Sequence, residues 1–569
     1  MKNFIRSIVF GLCLFCTGLV TAQTNSSRTV SEVVGEVLAQ LPAEETETYN
    51  QLMKTLIDTG TEGVKMMADR MNAPGEGDNS TFEYALYGMT CFASDDVSLK
   101  NSLEQAFIAT LDETNEIAKK TFFINLLALT GSASCIQKLA MYLADDELSS
   151  PSACAIASIG GELAGKALLM ALQRSDTCSP VAQRAIIQAL TDIQPPVEGL
   201  EEYLKTMINT DDLITKGIIL RAISRTGSKQ SLPVLAAVAA ATGYKAEITD
   251  ANSAYIQLIK RVYAQGDRKE AMAAARGLLK NATLSGAMPL RIAALELLFY
   301  NQPDILKTLK SALKDGAKTY RNAALNFVSG YADKALYTEL FKLLPKAKTA
   351  EKIDILYWIA HEAQDVDKKQ VLLTIETNID KSGTQTLIQL LNDPDVEVKQ
   401  AALRALGALG DQQALPALAN LLKSNDVRIL SNVKDVLASF PKEIFRDLAK
   451  VVGQASDEGK IIIITLLAER KANTYFYLVL EQTKSKHAEV KNVAYQALKD
   501  VVSEKDFVVL CGLLESADPS FVEPLQKAVA AAIAPLSPEK QHEMITNRIL
   551  QSGDAKKNLY IPVISAPEK

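Results

Sequence analysis

The clearest alternation of apolar and polar positions runs from Thr384 to Phe440. Leu387, Leu390 and Leu391 make one face of a short helix, and Asn392-Asp393-Pro394 predicts a stop followed by a new start, with Asp393 as N-cap and Pro394 at the first helical position. Val398, Ala402, Ala405, Leu406 and Leu409 then recur at the 3.6-residue period of an amphipathic helix, and Gly407 and Gly410 loosen its end. The pattern restarts at Leu421-Leu422, 31 residues after Leu390-Leu391. The unit is therefore two antiparallel helices, too small to bury their apolar faces without neighbours.

Related signals spread along the chain. Ser150-Pro151, Ser179-Pro180 and Asp518-Pro519 predict further helix starts of the N-cap and proline kind. A cation near the beginning of the second helix recurs at Lys216, Arg291, Arg321, Lys352, Lys399, Lys460 and Lys491. It reads either as a basic ridge for a partner or, better, as a ladder to the turn acids Asp393, Asp395, Asp457 and Asp554. The β-branched run Lys460 to Thr465 falls where Lys399 to Arg404 falls in the template, so helix is expected there. Helices are also expected at Val30 to Leu41, Glu44 to Ile57 and Thr61 to Met71, ahead of a polar loop at 72–80. The organisation expected is an export signal at 1–22, an irregular helical cap and loop at 23–80, repeats at 81–247, a longer unit at 248–284 and repeats from 285 to 569. Within the last block, 364–383 holds one extra helix, VLLTIETNI.

The strings ALPALANLL and NDPDVEVKQAALRALGALGD resemble HEAT repeats in the short form of the phycobilisome-lyase-like group. HEAT and armadillo repeats run about 40 to 47 residues, so the shorter step implies compact pairs with little linker. The resemblance implies an all-α, right-handed solenoid of stacked antiparallel helix pairs, used for binding. It implies no activity.

The N-terminus reads as an address. Lys2 and Arg6 precede an apolar run from Ile8 to Val20, and Val20-Thr21-Ala22 places small residues before Gln23, which predicts a cleaved secretory signal. A lipid anchor at Cys13 or Cys16 is disfavoured by Leu12 and Phe15, which stand where a small residue belongs. No later run is long enough for a membrane span. Residues 1–22 hold two cations and no acid, so the remaining chain carries −8 against −6 for the whole. With no basic block, this opposes nucleic acid or an anionic membrane as partner and points to neutral or basic proteins. Cys91, Cys135, Cys154, Cys178 and Cys511 lack any framework spacing and read as small buried apolar residues.

Catalytic patterns fail on inspection. Gly160 to Lys166 fits a phosphate-loop spacing, but Ala167 replaces the hydroxyl residue that would hold Mg²⁺, and an inter-helix turn is expected. His361-Glu362 and His542-Glu543 begin a zinc-protease motif, but Asp365 and Thr546 stand at the second ligand position. No cofactor, metal or catalytic residue is expected. Aligned on the recurrent cation, Trp358 falls with Ala405, Leu297, Phe327, Leu466 and Ala497, so burial is expected. One residue earlier lies a polar row of Arg221, Glu296, Asn326, Tyr357, Arg404 and Gln496. Second helices line the inner surface of HEAT arrays, so this row is the expected concave binding face.

Leu559, Ile561, Val563 and Ile564 are expected to leave an apolar end surface open to self-association or a partner. The reading is an exported bacterial protein-interaction scaffold without catalysis, in the periplasm or at the outer surface. The alternative is the N-terminal repeat segment of a secreted carbohydrate-active enzyme, since similar secreted proteins place such arrays before a sugar-acting domain. An enzyme in its own right, by analogy with the lyase group, is opposed by export and by the missing constellations.

Overall fold

The computed structural model describes residues 28–73, 75–174, 178–300, 302–376 and 382–564. The expected export signal, with Cys13 and Cys16, lies outside them. Among the described residues every regular element is helical, and the one β-type pairing is an isolated bridge between Glu376 and Ser382. The chain divides into two compact units between Ala274 and Ala275. That division falls inside a helix, Arg268–Leu284, which follows Ala251–Ala264.

Each unit is an all-α solenoid of helix pairs. In the first, Gly60–Arg70, Val97–Glu113, Ile117–Thr130, Ser149–Ile159, Pro180–Asp192, Leu213–Thr226 and Ala251–Ala264 each pack on the next. In the second the same succession runs through Met288–Phe299, Lys318–Val328, Thr349–Glu362, Val396–Leu409, Val427–Ser439, Asp457–Glu469, Ala488–Val501, Val522–Ile533 and Lys557–Ile564. Shorter helices pair with these, several closing in a single 3-10 turn, as Leu415–Asn420 does at Leu421–Lys423.

The Val396–Leu409 helix shows why these residues adopt this form. Val398, Ala402, Ala405, Leu406 and Leu409 are all buried, as their period requires. Asp395 caps the start by accepting from the amides of Glu397 (2.8 Å) and Val398 (3.3 Å), a contact that contributes about 1 kcal/mol. Gly410, at φ 63°, closes the end in the left-handed conformation. The N-cap is thus Asp395 rather than Asp393. The Asp393 carboxylate is drawn into a buried contact with Lys352 and accepts from the Asp395 amide, so the helix starts two residues later than Asp393-Pro394 suggests. Ser150 does not cap either: that helix begins at Ser149, with Pro151 in its first turn, where an amide would lack an intrahelical acceptor. Ser179-Pro180 and Asp518-Pro519 do start helical segments as their residues predict, the second a 3-10 turn.

Other expectations meet mixed outcomes. Lys460 to Thr465 is helical, because Ile462, Ile463 and Ile464 are buried where the neighbouring helices need apolar residues. The extra helix expected at 371–379 lies earlier, at Val366–Leu373, and residues 377–379 of the expected span fall outside the described chain. Cys135, Cys178 and Cys511 are buried, but Cys91 and Cys154 are exposed, since each sits on the solvent side of its helix. The terminal apolar surface is smaller than expected. Val563 is buried and Leu559 packs on the core, because Lys557–Ile564 docks on Val522–Ile533 and Pro538–Ser552, leaving Ile561 50% exposed. The side chain of Ile564 lies outside the described residues. Tyr560 fixes this helix through its hydroxyl, which donates to Glu515 Oε1 at 2.6 Å, and Arg548 Nε donates to the same oxygen at 2.8 Å.

Candidate interaction surface

The second helices of the 275–569 unit carry chemistry on two levels. At their N-terminal ends four of the recurrent cations, Arg291, Arg321, Lys352 and Lys460, pair with acids, the last with one in its own first turn. Arg321 is buried, its Nε 2.6 Å from Asp354 Oδ2, and its Nη1 donates to the carbonyls of Asp315 and Gly316 at 2.9 and 3.0 Å. Arg291 pairs with Asp315 and lies over the Tyr320 ring at 4.3 Å. Lys352 meets Asp393 at 2.7 Å, and Lys460 meets Asp457 at 3.6 Å. Burial pushes the Asp393 carboxyl up, but the Lys352 ammonium and the Asp395 amide outweigh it and hold the group below the usual carboxylate range. In the first unit Arg184 reaches Asp212 at 3.1 Å, and Lys216 faces Glu247. These cations are ladder rungs, so their charge is spent on the solenoid itself. Of the acids expected as partners, Asp393 and Asp457 serve, and Asp395 is an N-cap instead. The side chain of Asp554 is outside the described residues.

The second level is the outward row. Asn326, Tyr357, Arg404 and Gln496 are exposed and Glu296 is half-buried. Of these, the structure brings together Tyr357 and Arg404, whose guanidinium lies 5.2 Å from the Tyr357 ring centroid on the next helix. Both line a groove of about 450 Å³ over Thr349–Glu362, Val396–Leu409 and Val427–Ser439. Gly407, Ala408 and Val436 form its apolar part. A Cβ on Gly407 would come within 2.9 Å of Val436 Cγ2, so the missing side chain is what lets these two helices approach. Gln400 and Asn432 donate to the Arg428 carbonyl at 3.3 and 3.1 Å, which fixes both amides with their oxygens available. Asp435 completes the row on the third helix, exposed and, among the described residues, without an ion-pair partner.

Asp435, Asn432 and Ser439 are not legible from the cation alignment, because Leu430, a buried residue, occupies the cation's place in that repeat, and Gln400, next to Lys399, lies one turn before the aligned polar row. The 31-residue period alone finds one of them, since Asp435 lies 31 residues after Arg404. Arg221 belongs to the other unit, where it lines a separate pocket of about 180 Å³ with Arg225, Thr249 and Gln257. Asn326, Glu296 and Gln496 stand outside the groove.

Trp358 is buried beside this row, as the alignment requires. Its Nε1 donates to Ser329 Oγ at 2.8 Å and its ring lies 5.6 Å from that of Tyr337. Tyr337 in turn donates to Glu362, which also accepts from Lys368, each at about 2.9 Å or less. His361 points to solvent, and Gly160 is an inter-helix turn residue. Among the described residues no group of His, Cys, Asp and Glu is arranged to hold a metal ion, and no helix is long and apolar enough to cross a membrane.

Residues 353–438, which contain the whole groove except Ser439, match the family model described as HEAT repeats. No curated protein matches the chain in sequence. Among solved structures, yeast importin-beta (Kap95p) is similar at 12% identity and a TM-score of 0.35, over 94% of this chain and 94% of its own. The Kap95:Nup1 complex gives 12% identity and a TM-score of 0.38, over 94% of this chain and 82% of that one. Likeness at this level does not extend to function.

Proposed function

Since the chain is a HEAT-repeat protein, we propose that it is a non-catalytic scaffold that binds a protein partner along its second helices, exported from a bacterial cell. The observation that carries this reading is the groove of Tyr357, Arg404 and Asp435. It presents an aromatic ring, a cation and an anion on three successive second helices, while the ladder cations are paired within the solenoid. Such a mixed surface suits a polar polypeptide segment, with aromatic and Arg anchors as the groups that dominate binding. If second helices form the concave side, an extended segment can follow the groove across repeats.

The test is site-specific photo-crosslinking from position 432 in intact cells. One discrete adduct is expected, lost on Arg404→Glu with Asp435→Lys although both variants melt as wild type does. An adduct unchanged by these substitutions, or its absence, refutes the groove. Export is supported by Lys2, Arg6, the run Ile8 to Val20 and the small residues before Gln23. A mature N-terminus at Gln23, read by mass spectrometry of the exported fraction, is the expected result. Self-association through the last helix has weaker support, with Val563 buried.

A further inference from the structure

The helix Gly161–Gln173 has apolar residues on two sides. Ala164, Leu168, Leu169 and Leu172 are buried in the first unit, as a repeat helix requires. The opposite side should be polar, yet Leu163, Ala167, Met170 and Ala171 lie there at i, i+4, i+7 and i+8, with Leu163 60% and Met170 57% exposed. That is the stripe of a helix awaiting another helix. Across from it stand Ile136 and Ala140, then Met141, which is 70% exposed at the start of a 3-10 turn. Together they enclose a groove of about 650 Å³. Its half-buried alanines permit close approach of a third helix, and its walls are methionine and leucine, the side chains that adapt to a bound apolar face. From Leu163 to Ala171 the stripe spans about 12 Å at 1.5 Å per residue, a little over two helical turns.

Charge selects the occupant. The charged residues lining the groove are Lys166 and Arg174, both basic, in a chain whose net charge is −6. Lys166 pairs with Glu162 one turn earlier on the exposed face of the same helix. A solvent-exposed pair one helical turn apart is held weakly, so the ammonium can turn to an incoming carboxylate. We infer that this groove is a second docking site, on the first-helix side of residues 133–174, for an acidic amphipathic helix of a partner protein. Its apolar face covers Leu163, Met170 and Met141, and its acids meet Lys166 on the basic side of the groove. The inference is independent of the groove at Tyr357 and Arg404, which lies in the other unit.

Two labelled 18-residue designed helices test it by fluorescence anisotropy against the chain from Gln23 onward. Both carry leucine at i, i+3, i+4 and i+7, one with glutamate on the remaining positions and one with lysine. The glutamate helix should bind saturably and at least tenfold more tightly than the lysine helix. Leu163→Glu and Met141→Ser, on opposite walls, should each weaken it tenfold or more with unchanged thermal melting, and Lys166→Glu should remove the preference for glutamate. No saturable binding overturns the inference, as does equal binding of both helices or binding indifferent to both wall variants. A dimer in sedimentation that Leu163→Glu dissociates would overturn it too, since the occupant would then be a second copy.

Discussion

Removing Asp354 should cost more than any exposed ion pair on this surface could. The Arg321 guanidinium and the Asp354 carboxylate are both buried, with Nε and Oδ2 2.6 Å apart. Taking one partner from a buried pair costs about 3 to 5 kcal/mol, because the other charge is left without compensation. Arg321 would keep its bonds to the carbonyls of Asp315 and Gly316, so Asp354→Ala belongs at the lower end, about 3 kcal/mol. At about 1.4 kcal/mol per tenfold, that is roughly a hundredfold in the local opening equilibrium. Replacing both residues, Arg321→Met with Asp354→Leu, should return the stability to within about 1 kcal/mol of wild type, since no buried charge remains. Trp358, the one tryptophan of the chain, is one helical turn from Asp354 and buried, so its emission reports unfolding at this site. Urea titrations read by Trp358 fluorescence give the three values. A loss under about 1 kcal/mol for Asp354→Ala, or a double variant as unstable as the single one, refutes the argument.

Three further outcomes follow from particular contacts. Gly459→Ala should destabilise the second unit by about 2 kcal/mol or more in the same titration, despite the roughly 1 kcal/mol advantage of alanine in a helix, because the new Cβ would lie 2.1 Å from the Leu422 carbonyl oxygen. Burial pushes the Glu515 carboxyl up, but its bonds from Arg548 and Tyr560 outweigh this and lower it below the ordinary value of 4.5. Its contribution is therefore full above that value and is lost as pH falls through the lowered one; hydrogen exchange across Lys557–Ile564 should rise in that acidic range, and Glu515→Gln should show the faster exchange already at pH 7. With a thiol reagent at pH 8, Cys91 and Cys154 should react at once, while Cys135 and Cys511, pushed up by burial to about 12 and about 11, stay silent until urea unfolds the chain.

What the sequence conveys here follows from the range of the physics involved. Helices and their buried faces are local, so the period of Val398 to Leu409 suffices for one helix, and alignment of repeats is enough to bury Trp358 and turn Tyr357 outward. Alignment on a charge is less informative than alignment on the apolar period. It skips the repeat where Leu430 replaces the cation, and with it Asn432, Asp435, Val436 and Ser439, four of the nine residues that line the groove. The partners of Arg291 and Arg321 lie 24 and 33 residues onward, a separation that varies from repeat to repeat, so turn acids nearer in the alignment look equally suitable. N-cap positions slip by a residue or two for the same reason: Asp393 could cap its helix, but Lys352, 41 residues earlier, competes for its carboxylate. Burial of Cys91 and Cys154 cannot be inferred from type, because cysteine is small enough to tolerate either side of a helix.

The ladder of cations gives the chain a reading frame of its own. Lys352 is satisfied by an acid beyond its own helix pair, and Arg291 and Arg321 likewise. A gene duplication or excision that adds or removes one whole period keeps such residues in register with the repeat that follows, whereas one that is off by a few residues strands a charge that now has its partner. Excising the 31 residues 395–425 would bring Asp426, the cap of Val427–Ser439, to the position Asp395 now holds, with Lys352 and Asp393 still adjacent. Length in such a protein can change by whole steps during its descent, and the buried ion pairs act as the proofreader that rejects fractional ones.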